Sequence, residues 1–193
     1  LAAAIPIAAA QAESAVPFEL SQKFVTEHKV KSLVGPSVQV DEQGQVSLAW
    51  MEEHKDVRSV LYARSAEAGG PMGVPVRINR PEDVPYWRQE APALVVQGED
   101  VFVTWGLAHP KATPQQPFAT ELRLSRSIDG GKTFQPSVAV NDDPGVIQHT
   151  FDALHRDADG RLHLSWIDGR EGKKDPGTYV ARSLDQGVTI TKN

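Results

Sequence analysis

Three short segments of the chain alternate between large apolar residues and smaller ones, and each segment ends in tryptophan. They are residues 46–50, 101–105 and 162–166. Alternation with a period of two is typical of β-strands, because successive side chains point to opposite faces of a sheet. None of the three segments contains Asp, Glu, Lys or Arg. We therefore predict strands buried on both faces, with their tryptophans in the core rather than stacked on a sugar.

The residues around each tryptophan strand repeat in one order. A turn with glycine and acidic residues precedes the strand, another short strand precedes the turn, and a third strand follows. The first strands are predicted at 37–40, 93–96 and 153–155, the third strands at 60–64, 122–126 and 179–182, and fourth strands around residue 77 and at 137–140. This order predicts three antiparallel blades, at about residues 36–80, 90–142 and 149–193.

A short phrase follows each third strand. The full copy is Ser127-Ile128-Asp129-Gly130-Gly131-Lys132-Thr133-Phe134, and the second is Ser183-Leu184-Asp185-Gln186-Gly187-Val188-Thr189-Ile190. A degenerate third copy begins at Ser65 and has Glu67 and Gly69 in the places of Asp and Gly. A phrase that recurs in this way indicates a repeat architecture.

The phrase suits a turn that is held by its own side chains. Asp129 is placed to accept hydrogen bonds from backbone N–H groups of the turn, and Ser127 and Thr133 brace its two ends. Gly131 supplies a backbone angle that other residues avoid, and Phe134 packs under the turn. These roles are structural; the alternative is that Asp129 or Asp185 is a metal ligand or a catalytic acid.

The phrase resembles the Asp box, or bacterial neuraminidase repeat, of sialidase-like β-propellers, and the resemblance extends over residues 36–193. It implies an all-β fold, a β-propeller of four-stranded antiparallel blades. About three blades of a six- or seven-bladed ring are expected here, since propellers close with typically four to eight. The alternatives are a dimer of three-bladed halves and an open curved array.

Composition and the N-terminal residues limit the function and the location. A net charge of −5 and the absence of a basic cluster argue against nucleic-acid and anionic-membrane partners. There is no cysteine, and no cofactor is expected. Residues 1–12 are apolar and end in Ala10-Gln11-Ala12, which predicts the remnant of a secretory signal peptide, too short to span a bilayer. Residues 13–35 are predicted to be an N-terminal segment or linker, and the protein is expected to be exported to a periplasm or outside a bacterial cell.

The candidate ligand residues lie in other loops, because the resemblance implies that Asp-box turns face away from the ligand. The candidates from the chain are Glu52, Glu53, His54, Tyr86, Trp87, Arg88, Glu90, His109, Lys111, His149, Asp152, Asp168, Arg170 and Glu171. Such carboxylates, arginines and aromatic rings suit a polar ligand, such as a sugar acid, another carbohydrate or a protein segment. The alternative is that these charges are solvated or form salt bridges between blades.

No metal site is predicted, because the six histidines are scattered. A meeting of His149, Asp152 and Asp168 is conceivable but not expected. The resemblance implies that a sialidase would have three arginines that clamp a carboxylate, a tyrosine nucleophile with a glutamate partner, and an aspartate acid/base. The first arginine belongs to a Phe/Tyr-Arg-Ile-Pro motif, yet Arg58 is the first arginine of this chain, and Arg77-Ile78-Asn79 falls on a fourth strand.

The sequence therefore favours an exported sialidase-like propeller that binds a ligand or acts as a scaffold, without glycosidase activity. One alternative is a truncated exo-sialidase, a glycoside hydrolase. Another is a propeller subunit that docks onto a larger periplasmic or surface assembly.

Overall fold

The structure is a computed structural model that describes residues 31–86, 90–172 and 176–192. Within these ranges the regular secondary structure is all β, and no helix is long and apolar enough to cross a membrane. The strands are β1 Ser32–Val40, β2 Val46–His54, β3 Val57–Arg64, β4 Val76–Arg77, β5 Ala93–Gln97, β6 Asp100–Ala108, β7 Thr120–Ser127, β8 Val138–Ala139, β9 His149–Arg156, β10 Leu162–Asp168 and β11 Gly177–Ser183. The predicted signal remnant at 1–12 lies outside the described residues.

The strands form three antiparallel sheets, which we call blade 1 (β1–β4), blade 2 (β5–β8) and blade 3 (β9–β11). Blades 1 and 2 have four strands in sequential order, as predicted, and blade 3 has three in the described part of the chain. Two hydrogen bonds stand where blade 3 would pair with a fourth strand. The Arg182 N–H donates to Thr191 Oγ1 at 2.9 Å, and the Thr191 N–H donates to the Arg182 carbonyl at 2.8 Å. Gly73 and Gln135 make the corresponding bonds to Arg64 and Arg126 in the other blades.

Blade 1 departs from the prediction at two places. β1 begins at Ser32, inside the residues that the sequence assigned to an N-terminal segment, and it has a register shift between Val34 and Ser37. Pro36 lies at this shift, where a residue without an N–H is tolerated. β2 continues beyond Trp50 to His54, so Glu52, Glu53 and His54 are strand residues and not loop residues.

The blades stack face to face, and the alternation of each strand decides which neighbour a side chain meets. Ala49 and Met51 of blade 1 pack with Val103 and Trp105 of blade 2. Phe102, on the opposite face of blade 2, packs with a cluster from blade 3 that contains Leu162, Leu164 and Trp166. The predicted two-faced burial holds for β6 and most of β2, whereas the second face of β10 is only partly buried. Trp105 and Trp166 are core residues, each 1% exposed.

The turns after β7 and β11 hold themselves with nearly identical hydrogen bonds. Asp129 accepts from the Ser127 hydroxyl at 2.6 Å, from the Thr133 N–H at 2.9 Å and from the Thr133 hydroxyl at 2.6 Å. The N–H of Gly131 donates to Ser127 Oγ at 2.9 Å. These hydrogen bonds lower the pKa of Asp129 to about 2, and the bond from Ser127 has the largest effect. Phe134 reaches the ring of Tyr62 in blade 1 at 5.5 Å, edge to face.

Asp185 accepts the corresponding bonds from Ser183 and Thr189, and Gly187 donates to Ser183 at 2.7 Å. In the degenerate copy the Ser65 hydroxyl instead accepts from the N–H of Val46. We call the three turns box turns. They lie at one end of the blades, and the loops between second and third strands lie at the other end.

Candidate functional site

A cavity of about 620 Å³ lies between blades 2 and 3, at the end opposite the box turns. Three segments line it: the β6–β7 loop, the connection from blade 2 to blade 3, and the β10–β11 loop. Its lining residues are Gln116, Phe118, Ala119, Val146, Ile147, Gln148, Thr150, Phe151, Ile167, Gly169, Arg170, Gly172 and Pro176. An apolar wall with a few polar groups is typical of a small-molecule site.

Two phenylalanines give the cavity exposed aromatic faces. Phe118 is 38% exposed and Phe151 is 64% exposed. Phe151 has a φ of 55°, a left-handed backbone conformation that is unusual for a large side chain. Strained residues of this kind concentrate at functional sites. The amide side chains of Gln116 and Gln148 on the lining can both donate and accept hydrogen bonds.

Arg170, on the lining, is engaged with several carboxylates. Its guanidinium donates to Asp168 at 2.8 Å and to Asp142 at 3.2 Å, and it lies 3.6 Å from Asp143. It also stacks over the ring of Tyr179 at 4.1 Å. The hydrogen bond to Asp168 is the main reason that the pKa of Arg170 is raised. Its side chain is 19% exposed, so the charge is largely neutralised inside the protein.

Asp168 is the buried centre of this group. It ends β10 and is fully buried. Burial alone would raise its pKa, but hydrogen bonds from the side chains of Arg170 and Trp166 and from the Arg170 N–H outweigh burial and lower the pKa. The sequence prediction left open whether Asp168 and Arg170 pair with a neighbouring blade. They pair with each other, and Arg170 also joins them to Asp142 in the preceding connection.

His149 closes the group from blade 3's first strand. Its Nδ1 lies 2.5 Å from the Thr120 carbonyl oxygen, and its Nε2 lies 2.6 Å from Asp143 and 3.5 Å from Asp168. The carbonyl oxygen only accepts, so Nδ1 is the donor in this contact, and Nε2 faces the carboxylate of Asp143. His149 and Asp168 thus meet, contrary to expectation, but the third member is Asp143 and not Asp152.

Asp143, His149 and Asp168 are also the described residues that could hold a metal ion, since their ligand atoms lie within 4.8 Å of one another. The Nδ1–H bond to a backbone carbonyl is the usual arrangement of a metal-binding histidine. However, Arg170 already places a positive charge on Asp168 and beside Asp143. A divalent cation would have to displace it. The donor set therefore fits an ion-pair network better than a metal centre.

A second pair of carboxyl groups lies where blades 2 and 3 meet. Asp152 accepts a hydrogen bond from Thr104 of β6, and burial raises its pKa. Burial and the neighbouring Asp152 raise the pKa of Glu90 to about 7. Glu90 Oε2 is buried and has no hydrogen-bond partner within the described part of the chain. The backbone of Phe151 bonds to Glu90, which connects this pair to the edge of the cavity.

The other candidates lie apart from the cavity lining. Glu53 makes ion pairs with Lys31 at 2.6 Å and Arg58 at 3.0 Å, and the Lys31 bond is the main reason for its lowered pKa. Glu52 is buried beside it on β2. His109 is buried at the start of the β6–β7 loop, 3.8 Å from Glu121. Trp87 and Arg88 lie outside the described residues.

Sequence reasoning missed several residues of the site, in particular Asp142, Asp143, Phe118 and Phe151. Asp142 and Asp143 precede Pro144 and Gly145, so the segment looks like an ordinary turn. The signal that could have found them is the position of this turn, directly before the first strand of blade 3. Nothing in the sequence marks Phe118 or Phe151 as exposed.

No protein-family model matches the sequence, and no curated protein sequence does either. Solved structures do share its fold. A protein of unknown function from Dyadobacter fermentans DSM 18053 superposes with a TM-score of 0.59 at 16% identity, over 82% of this chain and 53% of that one.

Two carbohydrate-active enzymes superpose in the same way. An endo-arabinase from Bacteroides thetaiotaomicron VPI-5482 gives a TM-score of 0.52 at 17% identity, over 79% of this chain and 57% of the enzyme. An α-L-arabinofuranosidase from Lactobacillus brevis gives a TM-score of 0.50 at 16% identity, over 84% of this chain and 56% of the enzyme. At these identities the likeness establishes the fold, which is the propeller-like fold of glycoside hydrolases. The chain spans about half the length of these structures.

Proposed function

We propose that this chain is a carbohydrate-binding part of a glycoside-hydrolase-like propeller, and that its cavity between blades 2 and 3 binds a neutral sugar. The observation that carries the proposal is the combination of two exposed aromatic rings with an arginine whose charge is already matched. Phe118 and Phe151 supply the rings, and Arg170 is the matched cation.

The aromatic rings and amides suit the two sides of a sugar. The C–H face of a pyranose or furanose is apolar and packs on an aromatic ring, whereas its hydroxyl groups need donors and acceptors. Phe151 is 64% exposed, and Gln116 and Gln148 supply amide groups on the same lining. A ligand that satisfies both would be oriented in the cavity.

The charge of the site favours a neutral sugar over a sugar acid. A carboxylate ligand needs an arginine fork that is free to form two parallel hydrogen bonds. Arg170 donates instead to Asp168 and Asp142, and Asp143 lies 3.6 Å away. An incoming carboxylate would meet these three carboxylates beside one guanidinium. The endo-arabinase and the α-L-arabinofuranosidase that share the fold are named for arabinose, which carries no charge, and this supports the choice.

Isothermal titration of the chain with neutral and acidic sugars tests the proposal. We expect saturable binding of neutral oligosaccharides such as arabino-oligosaccharides, and no binding of a sialylated trisaccharide. Phe118→Ala and Gln148→Ala should weaken the binding of the neutral sugar, whereas Ile128→Ala should leave this binding unchanged. Ile128 is a suitable control because it is 58% exposed but lies in the box turn of blade 2, away from the cavity. Tight binding of the sialylated sugar would refute the proposal. The absence of binding to every sugar tested would refute it as well.

Hydrolysis is the second candidate function. Glu90, with a pKa of about 7, has the property of a general acid, and Asp152 is a second carboxyl group beside it. Turnover of fluorogenic neutral glycosides that Glu90→Gln abolishes would favour a hydrolase. Turnover of a sialoside would favour the exo-sialidase that the sequence offered as an alternative.

We include three further statements in the proposal. The box turns are Asp boxes, the chain is a member of the sialidase-like group, and the protein is exported to a periplasm or outside the cell. The hydrogen bonds at Asp129 and Asp185 support the first two. The composition of residues 1–12 supports export. A role as a subunit of a larger periplasmic or surface assembly remains the third hypothesis.

A further inference from the structure

The first strand of each blade is irregular at one level, opposite the tryptophan of the second strand. There the first strand has two or more residues where the second strand has one. The residues are Gly35 and Pro36 opposite Trp50, those between Tyr86 and Ala93 opposite Trp105, and Phe151 and Asp152 opposite Trp166. We call them the first-strand bulges. Bulges re-aim side chains and are over-represented next to active sites, so their recurrence at one level indicates a feature of the blade plan.

The first-strand bulges of neighbouring blades touch one another. A Cβ built on Gly35 of blade 1 would lie 3.4 Å from the Cβ of Ala91 in the bulge of blade 2. Beside Ala91, the carboxyl group of Glu90 accepts a hydrogen bond from the backbone N–H of Phe151 in blade 3. The bulges therefore form a continuous row across the three blades, and this row reaches the cavity at Phe151.

The bulge of blade 3 directs its two side chains to different places. Asp152 accepts a hydrogen bond from the hydroxyl of Thr104 on β6, at the contact with blade 2. Phe151 instead lines the cavity and is 64% exposed. Its backbone is left-handed, with a φ of 55°, which is unfavourable for a residue that has a Cβ. An interaction with the surrounding protein must therefore hold the Phe151 backbone in this conformation.

Glu90 supplies that interaction. The extra residue of a bulge loses its partner in the strand ladder, and its N–H then needs another acceptor. For Phe151 the acceptor is the Glu90 carboxyl group, whose Oε2 lies over β6, 4.0 Å from the position that a Cβ on Gly106 would take. Oε2 is buried and has no hydrogen-bond partner within residues 31–86, 90–172 and 176–192. The carboxyl group is thus committed to Phe151 rather than to solvent.

We infer that Glu90 is a positioning residue, which holds the Phe151 backbone so that the aromatic ring stays on the cavity wall. The inference rests on the proposed function, in which this ring packs against a neutral sugar. It assigns part of the sugar affinity to a residue that does not line the cavity. The hydrogen bond crosses from blade 2 to blade 3, so it also ties together the two blades that enclose the cavity.

Isothermal titration with an arabino-oligosaccharide tests the effect on binding. Glu90→Leu removes the acceptor at similar side-chain size, and it should weaken binding about tenfold, a typical consequence of an unsatisfied N–H. Glu90→Gln should bind as the wild type does, because the amide oxygen still accepts a hydrogen bond. Glu42→Leu, at an exposed position, is the matched control and should also bind normally. Equal weakening by Glu90→Leu and Glu90→Gln would overturn the inference.

A double-mutant cycle separates positioning from a general loss of structure. In a Phe151→Ala background the ring is absent, so Glu90→Leu should weaken binding no further. A loss of the same size in both backgrounds would contradict the inference, because it would mean that Glu90 acts on the cavity without Phe151.

The exchange of the Phe151 amide proton with solvent tests the inference without any sugar. Glu90→Leu should speed this exchange about tenfold because the hydrogen bond is lost, whereas Glu90→Gln should leave it unchanged. The amide of Val103, a core residue, is the internal control and should exchange as it does in the wild type. If the wild type binds no sugar, the proposed function fails and the exchange rate alone decides the inference. An unchanged rate in Glu90→Leu refutes it.

The wild-type protein provides a test that needs no variant. A scalar coupling across the hydrogen bond, from the Phe151 amide nitrogen to the side-chain carboxyl carbon of Glu90, should be detected by nuclear magnetic resonance. The absence of this coupling would overturn the inference even where Glu90→Leu fails to fold.

Discussion

The guanidinium of Arg170 donates to the fully buried carboxylate of Asp168 at 2.8 Å. Removal of a buried ion's partner leaves an uncompensated charge, which typically costs 3–5 kcal/mol. We expect Arg170→Ala to lower the free energy of unfolding by roughly 3 kcal/mol in chemical denaturation. Arg161→Ala is the matched control, because Arg161 pairs with Asp159 at the surface and such pairs contribute about 0–1 kcal/mol. Equal losses in the two variants would show that Asp168 does not need Arg170.

Gly131 is expected to be intolerant of any side chain. A Cβ would lie 1.9 Å from the ring of Tyr62, and the backbone has a φ of 86°. Backbone strain and overpacking together should make Gly131→Ala lower the free energy of unfolding by about 3 kcal/mol or more. Gly98 also has a positive φ, 61°, but the space around it is open. Gly98→Ala should therefore lower the free energy of unfolding by only about 1 kcal/mol. Thermal unfolding of both variants measures the difference, and a mild effect at Gly131 would mean that the blades are not packed as described.

The box-turn aspartates should make the protein sensitive to acid. The pKa values of Asp129 and Asp185 are about 2, below the ordinary value of 3.8. A depressed pKa contributes stability that is present above the unfolded-state pKa and is lost as the pH falls towards 2. The double variant Asp129→Ala, Asp185→Ala should have a lower melting temperature at pH 7 and a smaller further drop between pH 4 and 2.

Glu67 provides the control for this experiment. It is exposed and stands in the aspartate position of the degenerate phrase. Glu67→Ala should leave both the melting temperature and its acid dependence unchanged. If it behaves like the double variant, the side-chain bonds at Asp129 and Asp185 are not what stabilises the turns.

Glu90 should make the protein less stable as the pH rises, whereas the box-turn aspartates make it less stable as the pH falls. Its pKa is raised to about 7 from 4.5, chiefly by burial. The unfolded chain therefore gives up this proton more easily, so stability is complete below about pH 4.5 and falls as the pH rises to about 7. Glu90→Gln should stabilise the protein at pH 8 by about 1–2 kcal/mol, after allowance for solvent screening, and should flatten this decline. Glu42→Gln, at an exposed position, should do neither.

The blades were predictable because their information is local. Strand alternation around Trp105 and Trp166 depends on adjacent residues, and the bonds of Asp129 and Asp185 join residues two and four positions away. Such patterns are visible in a sequence without knowledge of the chain path. The prediction failed at Glu52 and Glu53 because two charges suggested a loop. In the structure Lys31 and Arg58 neutralise Glu53, so β2 continues through both residues.

The site was only partly predictable because its contacts are not local. Arg170 reaches Asp142 across 28 residues, and His149 bonds to Thr120 across 29. Asp168 and Arg170 were identifiable as a pair two residues apart. The third carboxylate, Asp143, depends on how the connection before blade 3 folds back over β10. Asp152 was assigned to the loop that enters blade 3, but it lies on β9 and its side chain bonds to Thr104 where blades 2 and 3 meet.

The self-contained hydrogen bonding of the box turns also bears on how such a chain arises in evolution. In the described part of the chain, the side chains of Ser127, Asp129 and Thr133 bond with one another and with the backbone of their own turn, so a duplicated gene segment would carry a complete turn into its new position. Substitutions would then accumulate mainly at the opposite end of each unit. Lineages built in this way diversify what they recognise while the duplicated framework stays the same.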